Sequence, residues 1–322
     1  MSRLISYSFC LVVIALVAYA FSPREQTDGQ QVSLDLARLQ INDLARLDER
    51  VIAVGERGTI IVSDDLGDSW RTTHSDENLP VTLTGISPVG GNTLLAVGHD
   101  AVLMRSDDAG DSWRVLMQDQ ELGEPLLGAW SAEGERIFAF GSFGKFLRSD
   151  DRGQSWQERE LDIHGEHLND MAGDGRRLQV LVGEMGLVLR SEDHGDSWER
   201  IEPFYRGSLF GVSHLGEGVW VTYGMRGHVF VSRDDGRNWS QIELPHRLPL
   251  YGHAEDPSGL VIVGTGGAYV RISRTGELQD SGYLDGLGTL TSAVVLPGGE
   301  LFVAGQRGLL QQDRAYLAVI GQ

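Results

Sequence analysis

Five octapeptides place carboxylates, hydroxyls, glycine and tryptophan at the same spacing along the chain. Their sequences are SDDLGDSW (63–70), SDDAGDSW (106–113), SDDRGQSW (149–156), SEDHGDSW (191–198) and SRDDGRNW (232–239). Alternating side-chain oxygens of this kind could bind calcium, but no bidentate acid follows at the distance that a calcium loop requires. We therefore interpret each octapeptide as a tight turn and expect no bound metal and no cofactor.

Each residue type of the octapeptide has a structural task in such a turn. The aspartate can accept backbone N–H groups across the hairpin, and the glycine two residues later supplies a positive φ. The tryptophan then packs between neighbouring repeats and buries on the order of 200 Å². The predicted structural residues are Asp65, Gly67, Trp70, Asp108, Gly110, Trp113, Asp151, Gly153, Trp156, Asp193, Gly195, Trp198, Asp234, Gly236 and Trp239.

Few other residues have the spacing of a chemical site. His164 and His167, with Glu166 between them, could bind a metal, but this loop spacing has low specificity and we favour exposed histidines. No nucleophile elbow and no glycine-rich phosphate loop is present, although a Ser-His-Asp arrangement spread along the chain stays open. Cys10 is the only cysteine. We predict no catalytic residue.

The octapeptides are parts of a longer internal repeat. They begin 43, 43, 42 and 41 residues apart. An apolar run that ends in glycine lies upstream of each octapeptide, and two further runs of this kind follow the last octapeptide. The seven terminal glycines are Gly55, Gly98, Gly141, Gly183, Gly224, Gly264 and Gly305. The chain thus contains seven repeats, and the last two lack the Asp and Trp of the octapeptide.

Within a repeat, short apolar stretches of strand length alternate with turn residues. Seven units of about 42 residues predict an all-β fold, a seven-bladed β-propeller of four-stranded blades over residues 32–322. Either residues 31–36 (QVSLDL) or residues 315–320 (AYLAVI) could supply the outer strand of the final blade.

The first 20 residues have the pattern of an export signal. Arg3 precedes an apolar run from Leu4 to Phe21, and Ala18-Tyr19-Ala20 could be cut by a signal peptidase. A run of about 18 residues is also close to the minimum for an uncleaved anchor. Both alternatives predict an exported, periplasmic protein, either soluble or tethered to the inner membrane, with residues 21–31 as a flexible linker.

The charge of the chain limits its partners. Twenty-seven Lys and Arg oppose 46 Asp and Glu, and the formal net charge is -19. An acidic surface repels phosphate backbones and anionic headgroups, so we expect no nucleic-acid partner. A localised basic or neutral partner stays open.

The pattern S-x-D-x-G-x-S-W resembles the Asp-box, or bacterial neuraminidase repeat. The longer unit A-V-G-x-x-G-x-x-x-x-S-x-D-x-G-x-S-W at 53–70 more closely resembles the photosystem II assembly and stability factor family. The resemblance covers roughly residues 32–322 and is specific in the first five repeats. It implies a non-enzymatic binding scaffold that assists the assembly or stability of a membrane protein complex, and we expect it to be monomeric.

A sialidase-like glycoside hydrolase, or a propeller that only binds glycans, is the alternative. Sialidase chemistry needs three arginines, a Tyr/Glu pair and a further acid at the centre of the propeller. The chain has enough of these residues, but the R-I-P triplet that sialidases carry beside their first arginine is missing. The Asp-boxes would also lie far from a catalytic face.

A partner-binding surface is predicted on the face opposite the Asp-boxes, which we call the hairpin face. It carries the hairpins between the second and third strands and the connections between blades. We predict that five arginines from these segments form one basic patch, the arginine rim, with three aromatic residues as apolar anchors. The arginines are Arg57, Arg206, Arg226, Arg247 and Arg307, and the anchors are Phe143, Phe204 and Tyr205. Such a patch could hold an acidic or carboxyl-terminal peptide through forked hydrogen bonds.

Overall fold

The computed structural model describes residues 39–74, 81–121, 123–132 and 134–311. These residues form seven antiparallel sheets, and in each sheet the strands are hydrogen-bonded in chain order. The predicted seven-bladed, all-β propeller is therefore confirmed. The predicted signal or anchor (1–20), the linker (21–31) and both candidates for the last outer strand (31–36 and 315–320) lie outside the described residues.

The first four blades contain four strands each. Blade 1 consists of β1 (Ile41–Leu47), β2 (Arg50–Gly55), β3 (Ile60–Ser63) and β4 (Arg71–His74). Blade 2 consists of β5 (Leu83–Gly90), β6 (Thr93–Gly98), β7 (Leu103–Ser106) and β8 (Arg114–Met117). Blade 3 consists of β9 (Leu126–Trp130), β10 (Ile137–Gly141), β11 (Phe146–Ser149) and β12 (Gln157–Glu158). Blade 4 consists of β13 (Leu168–Gly173), β14 (Gln179–Gly183), β15 (Val188–Ser191) and β16 (Glu199–Arg200).

The remaining three blades complete the ring. Blade 5 consists of β17 (Leu209–Gly216), β18 (Val219–Gly224), β19 (Val229–Ser232) and β20 (Ser240–Ile242). Blade 6 consists of β21 (Leu250–Asp256), β22 (Gly259–Gly264), β23 (Ala268–Ser273) and β24 (Leu278–Tyr283). Within the described residues, blade 7 has three strands, β25 (Leu290–Val295), β26 (Leu301–Gly305) and β27 (Gly308–Gln311).

The apolar residues lie where the blades pack on one another. The second strand of each blade is buried on both faces and is almost continuously apolar, as in β10 with its sequence IFAFG. The outer strands are short and mostly exposed, which limits the length of free sheet edge. Seven apolar clusters form in the described residues, one at each boundary between neighbouring blades.

Every inner strand carries a β-bulge near its first residues. The bulged residues are Asn42, Thr84, Leu127, Asn169, Phe210, Tyr251 and Thr291. A bulge bends its strand and redirects a side chain. Four of these residues use that freedom to donate to a carbonyl at the start of the next inner strand, as Asn42 Nδ2 does to Leu83 O at 2.7 Å.

The ring closes through the inner strands of its last and first blades. Thr291 Oγ1 donates to Ile41 O at 3.0 Å, and Ser292 Oγ donates to Asp43 Oδ1 at 2.7 Å. Ser292 Oγ also accepts the backbone N–H of Leu44 at 3.1 Å. In the parts of the chain that the structure describes, no helix has the length and apolar character needed to cross a membrane.

Candidate functional site

The turns of the propeller divide between two faces, as the sequence predicts. On the hairpin face, the backbone N–H of Gly58 donates to Val81 O, which joins a second-to-third-strand hairpin to the next connection between blades. On the Asp-box face, the N–H of Arg152 donates to Glu135 O, which joins an octapeptide to the loop between the first and second strands. A partner that docks on one face therefore meets a different set of turns from a partner on the other.

Each Asp-box is held by its own polar atoms. In the first, Asp65 Oδ1 accepts the N–H of Ser69 at 2.8 Å and the hydroxyl of Ser63 at 2.7 Å. Hydrogen bonds from the Ser69 hydroxyl, from its backbone N–H and from Ser63 lower the pKa of Asp65 to about 2. Gly67 of the same turn has a φ of 102°.

The tryptophans of the octapeptides pack between blades, as predicted. Trp70 of blade 1 lies 5.8 Å from Phe302 of blade 7, and Trp198 of blade 4 meets Phe138 and Phe146 of blade 3 edge-on. Trp70, Trp113 and Trp239 also donate their indole N–H to the carbonyl of the octapeptide glycine.

Many arginines on the Asp-box face are paired with carboxylates. Arg148 spans two blades, because it contacts Asp150 of its own blade at 2.8 Å and Asp196 of the next at 2.7 Å. Other arginines of this face also bind carboxylates: Arg50, Arg71, Arg105, Arg114, Arg136, Arg152, Arg177, Arg190 and Arg237. The sequence indicates part of this arrangement, because an arginine directly precedes the first serine of the octapeptide in blades 2, 3 and 4.

The hairpin face is built from glycine-bounded turns with a constrained residue at the apex. A Cβ on Gly55 would overlap the carbonyl of Gln40, so this first glycine serves close backbone approach. The apex residue of five hairpins has a positive φ, between 55° and 68°: Arg57, Phe143, Met185, Arg226 and Gly266. A left-handed backbone restricts which residues these apex positions accept.

All five arginines of the rim lie exposed on the hairpin face. The hairpin of Met185 lies beside the connection that carries Arg206, because the backbone of Gly186 approaches that of Tyr205. At the next boundary, the hairpin of Arg226 lies beside the connection that carries Arg247, because the backbone of Gly227 approaches that of Arg247. Arg307 and Arg57 are the hairpin residues of neighbouring blades 7 and 1.

None of these five arginines forms an ion pair with any carboxylate in the described ranges. Arg307 Nη1 donates to a backbone carbonyl, that of Gly286. The hairpin face also has acids, such as Glu56 and Glu184 directly before two apex residues. Within the described residues, the carboxylates of this face thus leave the five guanidinium groups without an ion pair.

The predicted apolar anchors differ in their accessibility. Phe143 is 63% exposed, and the unpredicted Met185 is 70% exposed. Tyr205 is half-buried and donates its hydroxyl to Met225 O at 2.9 Å. Phe204 is also half-buried, with its ring 4.9 Å from Phe230 and 5.7 Å from Trp239, so its contacts lie within the protein.

The histidine loop has internal partners. Glu166 is buried and binds Arg200 at 2.9 Å, while His167 Nδ1 lies 3.7 Å from Glu184. His167 also packs edge-on against Phe143 at 4.8 Å. Among the residues that the structure describes, no group of three His, Cys, Asp or Glu side chains has a metal-binding arrangement.

The central channel holds two half-buried carboxyl groups that the sequence analysis did not single out, Asp43 and Asp170. Asp43 accepts the N–H of Ile86 at 2.9 Å and the hydroxyl of Ser292, so it touches blades 2 and 7 as well as its own strand. Asp170 accepts the N–H of Val212 in the next blade at 2.9 Å. Burial raises the pKa of Asp170 to about 6, against the opposing effects of His253 and two backbone N–H groups.

An aromatic residue reaches this channel from a second strand. Tyr223 crosses over Gly211, where a Cβ would overlap its ring, and its hydroxyl lies 2.8 Å from His253 Nδ1. Burial raises the pKa of Tyr223 well above its usual value, and the nearby Asp170 and Asp43 add to the increase. The only sequence signal was a repeated Asn-Asp pair, 42–43 and 169–170, which becomes meaningful once the bulges are known.

These features define a class, the seven-bladed β-propellers with Asp-box turns. Within that class, a family model described as photosynthesis system II assembly factor YCF48 matches residues 129–278. This match confirms, over the matched residues, the resemblance noted in the sequence. No curated protein matches the chain.

Solved structures share the fold of the chain at low sequence identity. One described as YCF48 bound to D1 peptide has a TM-score of 0.68 and 18% identity, covering 86% of this chain and 95% of its own. YCF48 from Cyanidioschyzon merolae has a TM-score of 0.65 and 15% identity, covering 85% and 95%. The WD40 propeller domain of Doa1 has a TM-score of 0.67 and 14% identity, covering 86% and 94%. At these identities, the likeness concerns the fold.

Proposed function

We propose that this protein is an exported, monomeric, non-enzymatic scaffold that binds a peptide segment of a membrane protein and assists the assembly of its complex. The family match supports a binding scaffold, and a solved structure with the same fold holds a D1 peptide. The observation that carries the proposal is the state of the rim arginines, which have no carboxylate partner in the described residues although the chain has a large excess of acids.

An unpaired guanidinium group on an acidic protein is suited to a carboxylate from a partner. Arginine presents its donors in a planar fork that matches a carboxylate with two parallel hydrogen bonds. Some acids of the Asp-box face are occupied by the arginines beside them, as Asp150 and Asp196 are by Arg148. The rim therefore selects an acidic peptide or a free carboxyl terminus.

The apolar part of the face predicts a second feature of the partner. Phe143 and Met185 are exposed, occupy neighbouring blades and are held at φ of 55° and 56°. Arg206 and Arg226 follow them around the ring. A peptide that lies along this arc would place an apolar side chain against Phe143 and Met185 and its acidic end against the arginines.

The proposal is tested by crosslinking in cells and affinity capture from membranes. A variant with Arg57, Arg226 and Arg307 changed to Glu should lose the captured membrane protein, with a melting temperature close to that of the wild type. The matched control changes Arg114, Arg152 and Arg177 to Glu, because these exposed arginines of the Asp-box face give the same change in charge. The control should retain capture.

Two outcomes would count against the proposal. Equal capture by the wild type and the rim variant would remove the rim as the binding site. Turnover of a fluorogenic sialoside or glycoside by the purified protein would instead favour the glycosidase alternative. Export is tested separately by the amino-terminal residue of the mature protein, where a start near residue 21 indicates cleavage.

A further inference from the structure

The mouth of the central channel on the hairpin face carries an aromatic pair. The inner strands begin on this face, because the connections between blades lie there, and all seven bulged residues line the channel. Two of them, in neighbouring blades, are aromatic, and the ring centroids of Phe210 and Tyr251 lie 5.3 Å apart. Tyr251 is 37% exposed and Phe210 is half-buried. The pair therefore presents an accessible apolar surface at the mouth.

The repeat shows that the fold does not require aromatic residues at these two positions. In blades 1, 2, 4 and 7 the bulged residue is asparagine or threonine, and its side chain donates to a carbonyl of the next inner strand. Phe210 has no side-chain donor, and Tyr251 carries its hydroxyl at the far end of a ring. The aromatic pair thus serves something other than the bonds that join neighbouring inner strands.

Beyond the mouth, the wall of the channel is acidic. Asp43 and Asp170 directly follow the bulged residues of their strands, so they lie one residue, or about 3.3 Å of strand rise, inside the mouth. Glu255 lines the wall further along and is exposed. Among the described residues that line the channel, none is Arg or Lys, and His253 is the one side chain that could carry a positive charge.

The two aspartates are fixed by the fold but lack a full counter-charge. Asp43 accepts the backbone N–H of Ile86 and the hydroxyl of Ser292, and Asp170 accepts the N–H of Val212. Burial raises the pKa of both carboxyl groups, because these hydrogen bonds and His253 offset it only in part. A cation that entered the channel would meet carboxylates already held in position and would supply the charge that the wall lacks.

We propose that the channel mouth receives a cationic side chain, lysine or arginine, of the partner peptide. The aromatic pair would contact its stem, and the carboxylates of Asp43 and Asp170 would face its charged end. Aromatic ring faces attract a cation as carboxylates do, and the channel volume of about 430 Å³ accommodates one long side chain. This inference rests on the proposed scaffold function, because the same partner would place an acid on the arginine rim and a basic residue in the channel.

Other occupants fit the channel less well. An acidic side chain would meet three carboxylates and no arginine or lysine of the described lining. An apolar side chain would pack on the aromatic pair but leave the two aspartates without a counter-charge. A single metal ion is disfavoured, because no group of three His, Cys, Asp or Glu in the described part of the chain has a metal-binding arrangement.

The experiment measures binding of a neutral-capped tripeptide, acetyl-Gly-Lys-Gly-amide, to the full-length protein by saturation-transfer NMR and calorimetry. The lysine peptide should bind at least tenfold more tightly than its norleucine analogue, which keeps the stem and lacks the charge. Asp43→Asn combined with Asp170→Asn should weaken binding of the lysine peptide at least tenfold. Phe210→Thr combined with Tyr251→Thr should weaken it at least threefold and should fold normally, because threonine has the equivalent position in blades 2 and 7.

The matched control changes Glu56 and Glu184 to Gln. It removes two charges from the same face at residues that do not line the channel, so its affinity for the lysine peptide should equal that of the wild type. The threonine variant keeps the test decisive if the asparagine variant does not fold. No response to the lysine peptide, equal affinity for the lysine and norleucine peptides, or equal affinity of the asparagine variant and the control would overturn the proposal.

The channel and the scaffold function can fail separately. The variant with Arg57, Arg226 and Arg307 changed to Glu tests the rim, whereas the tripeptide has no carboxylate for the rim to bind. Membrane-protein capture that depends on the rim, without binding of the lysine peptide, would overturn only the channel proposal. Binding of the lysine peptide without capture of any membrane protein would support the cation site and count against the scaffold function alone.

Discussion

The two faces of the ring differ in how many of their arginines are held. On the Asp-box face, Arg148 is 12% exposed and joins two blades through two carboxylates. On the hairpin face, Arg57 and Arg226 lie exposed at turn apices with no ion pair in the described residues. The comparison shows that residue type does not separate structural arginines from those available to a partner. The residues around each arginine separate the two groups.

Aspartate shows the same division between the outer turns and the central channel. Hydrogen bonds from hydroxyl and N–H groups lower the pKa of Asp65 to about 2, whereas burial raises the pKa of Asp170 to about 6. Both side chains accept hydrogen bonds within the fold. They differ because the first is solvated and the second is enclosed by the inner strands.

The largest expected effect contrasts two aromatic residues. Trp239→Ala should lower the free energy of unfolding by about 3 kcal/mol, since the indole packs between blades and donates to Gly236 O. Phe143→Ala on the hairpin face should change it by no more than about 0.5 kcal/mol. Urea denaturation measures both. A comparable loss from Phe143→Ala would show that the hairpin face also has a structural role.

The second prediction concerns pH and the two kinds of aspartate. Because the folded pKa of Asp170 exceeds the unfolded value of 3.8, the folded state binds more protons between about pH 4 and 6. The free energy of unfolding should therefore fall as the pH rises from about 4 to 6, by on the order of 3 kcal/mol for this pKa shift. In Asp170→Asn the decline should be smaller, as measured by urea denaturation at each pH.

Asp65→Asn is the matched control for the channel variant. The lowered pKa of Asp65 stabilises the fold above pH 3.8, and this contribution is lost as the pH falls towards 2. Removal of this carboxylate should change only the acidic part of the plot of stability against pH. If Asp170→Asn and Asp65→Asn changed stability over the same pH range, the assignment of opposite pKa shifts would be wrong.

The smallest effect separates the arginines themselves. Arg148→Ala should lower the free energy of unfolding by about 2 kcal/mol, because it leaves Asp150 and Asp196 without their shared partner. Arg226→Ala should be neutral within about 0.5 kcal/mol and should weaken peptide capture. Thermal or urea unfolding of both variants at equal ionic strength measures the two losses of stability. Equal losses would contradict the prediction.

Much of the fold could be predicted because its signals are local. The hydrogen bonds of an Asp-box run between residues two to four positions apart, so S-x-D-x-G-x-S-W defines its own turn. One local feature was missed. The residue before each octapeptide glycine is also at positive φ, at Leu66, Ala109, Arg152, His194 and Asp235. These side chains share no residue type that would have indicated it.

The amino-acid sequence by itself determined the number of blades and the separation of the turns between two faces. Only the tertiary structure decided which arginines are paired, that Phe204 packs inside, and that Asp43 meets Ser292 across 249 positions. It alone brought Phe210 and Tyr251 together at the channel mouth. The physical reason is that a blade is defined by contacts within some 40 residues, whereas ion pairing, burial and cavities depend on which blades become neighbours when the ring closes.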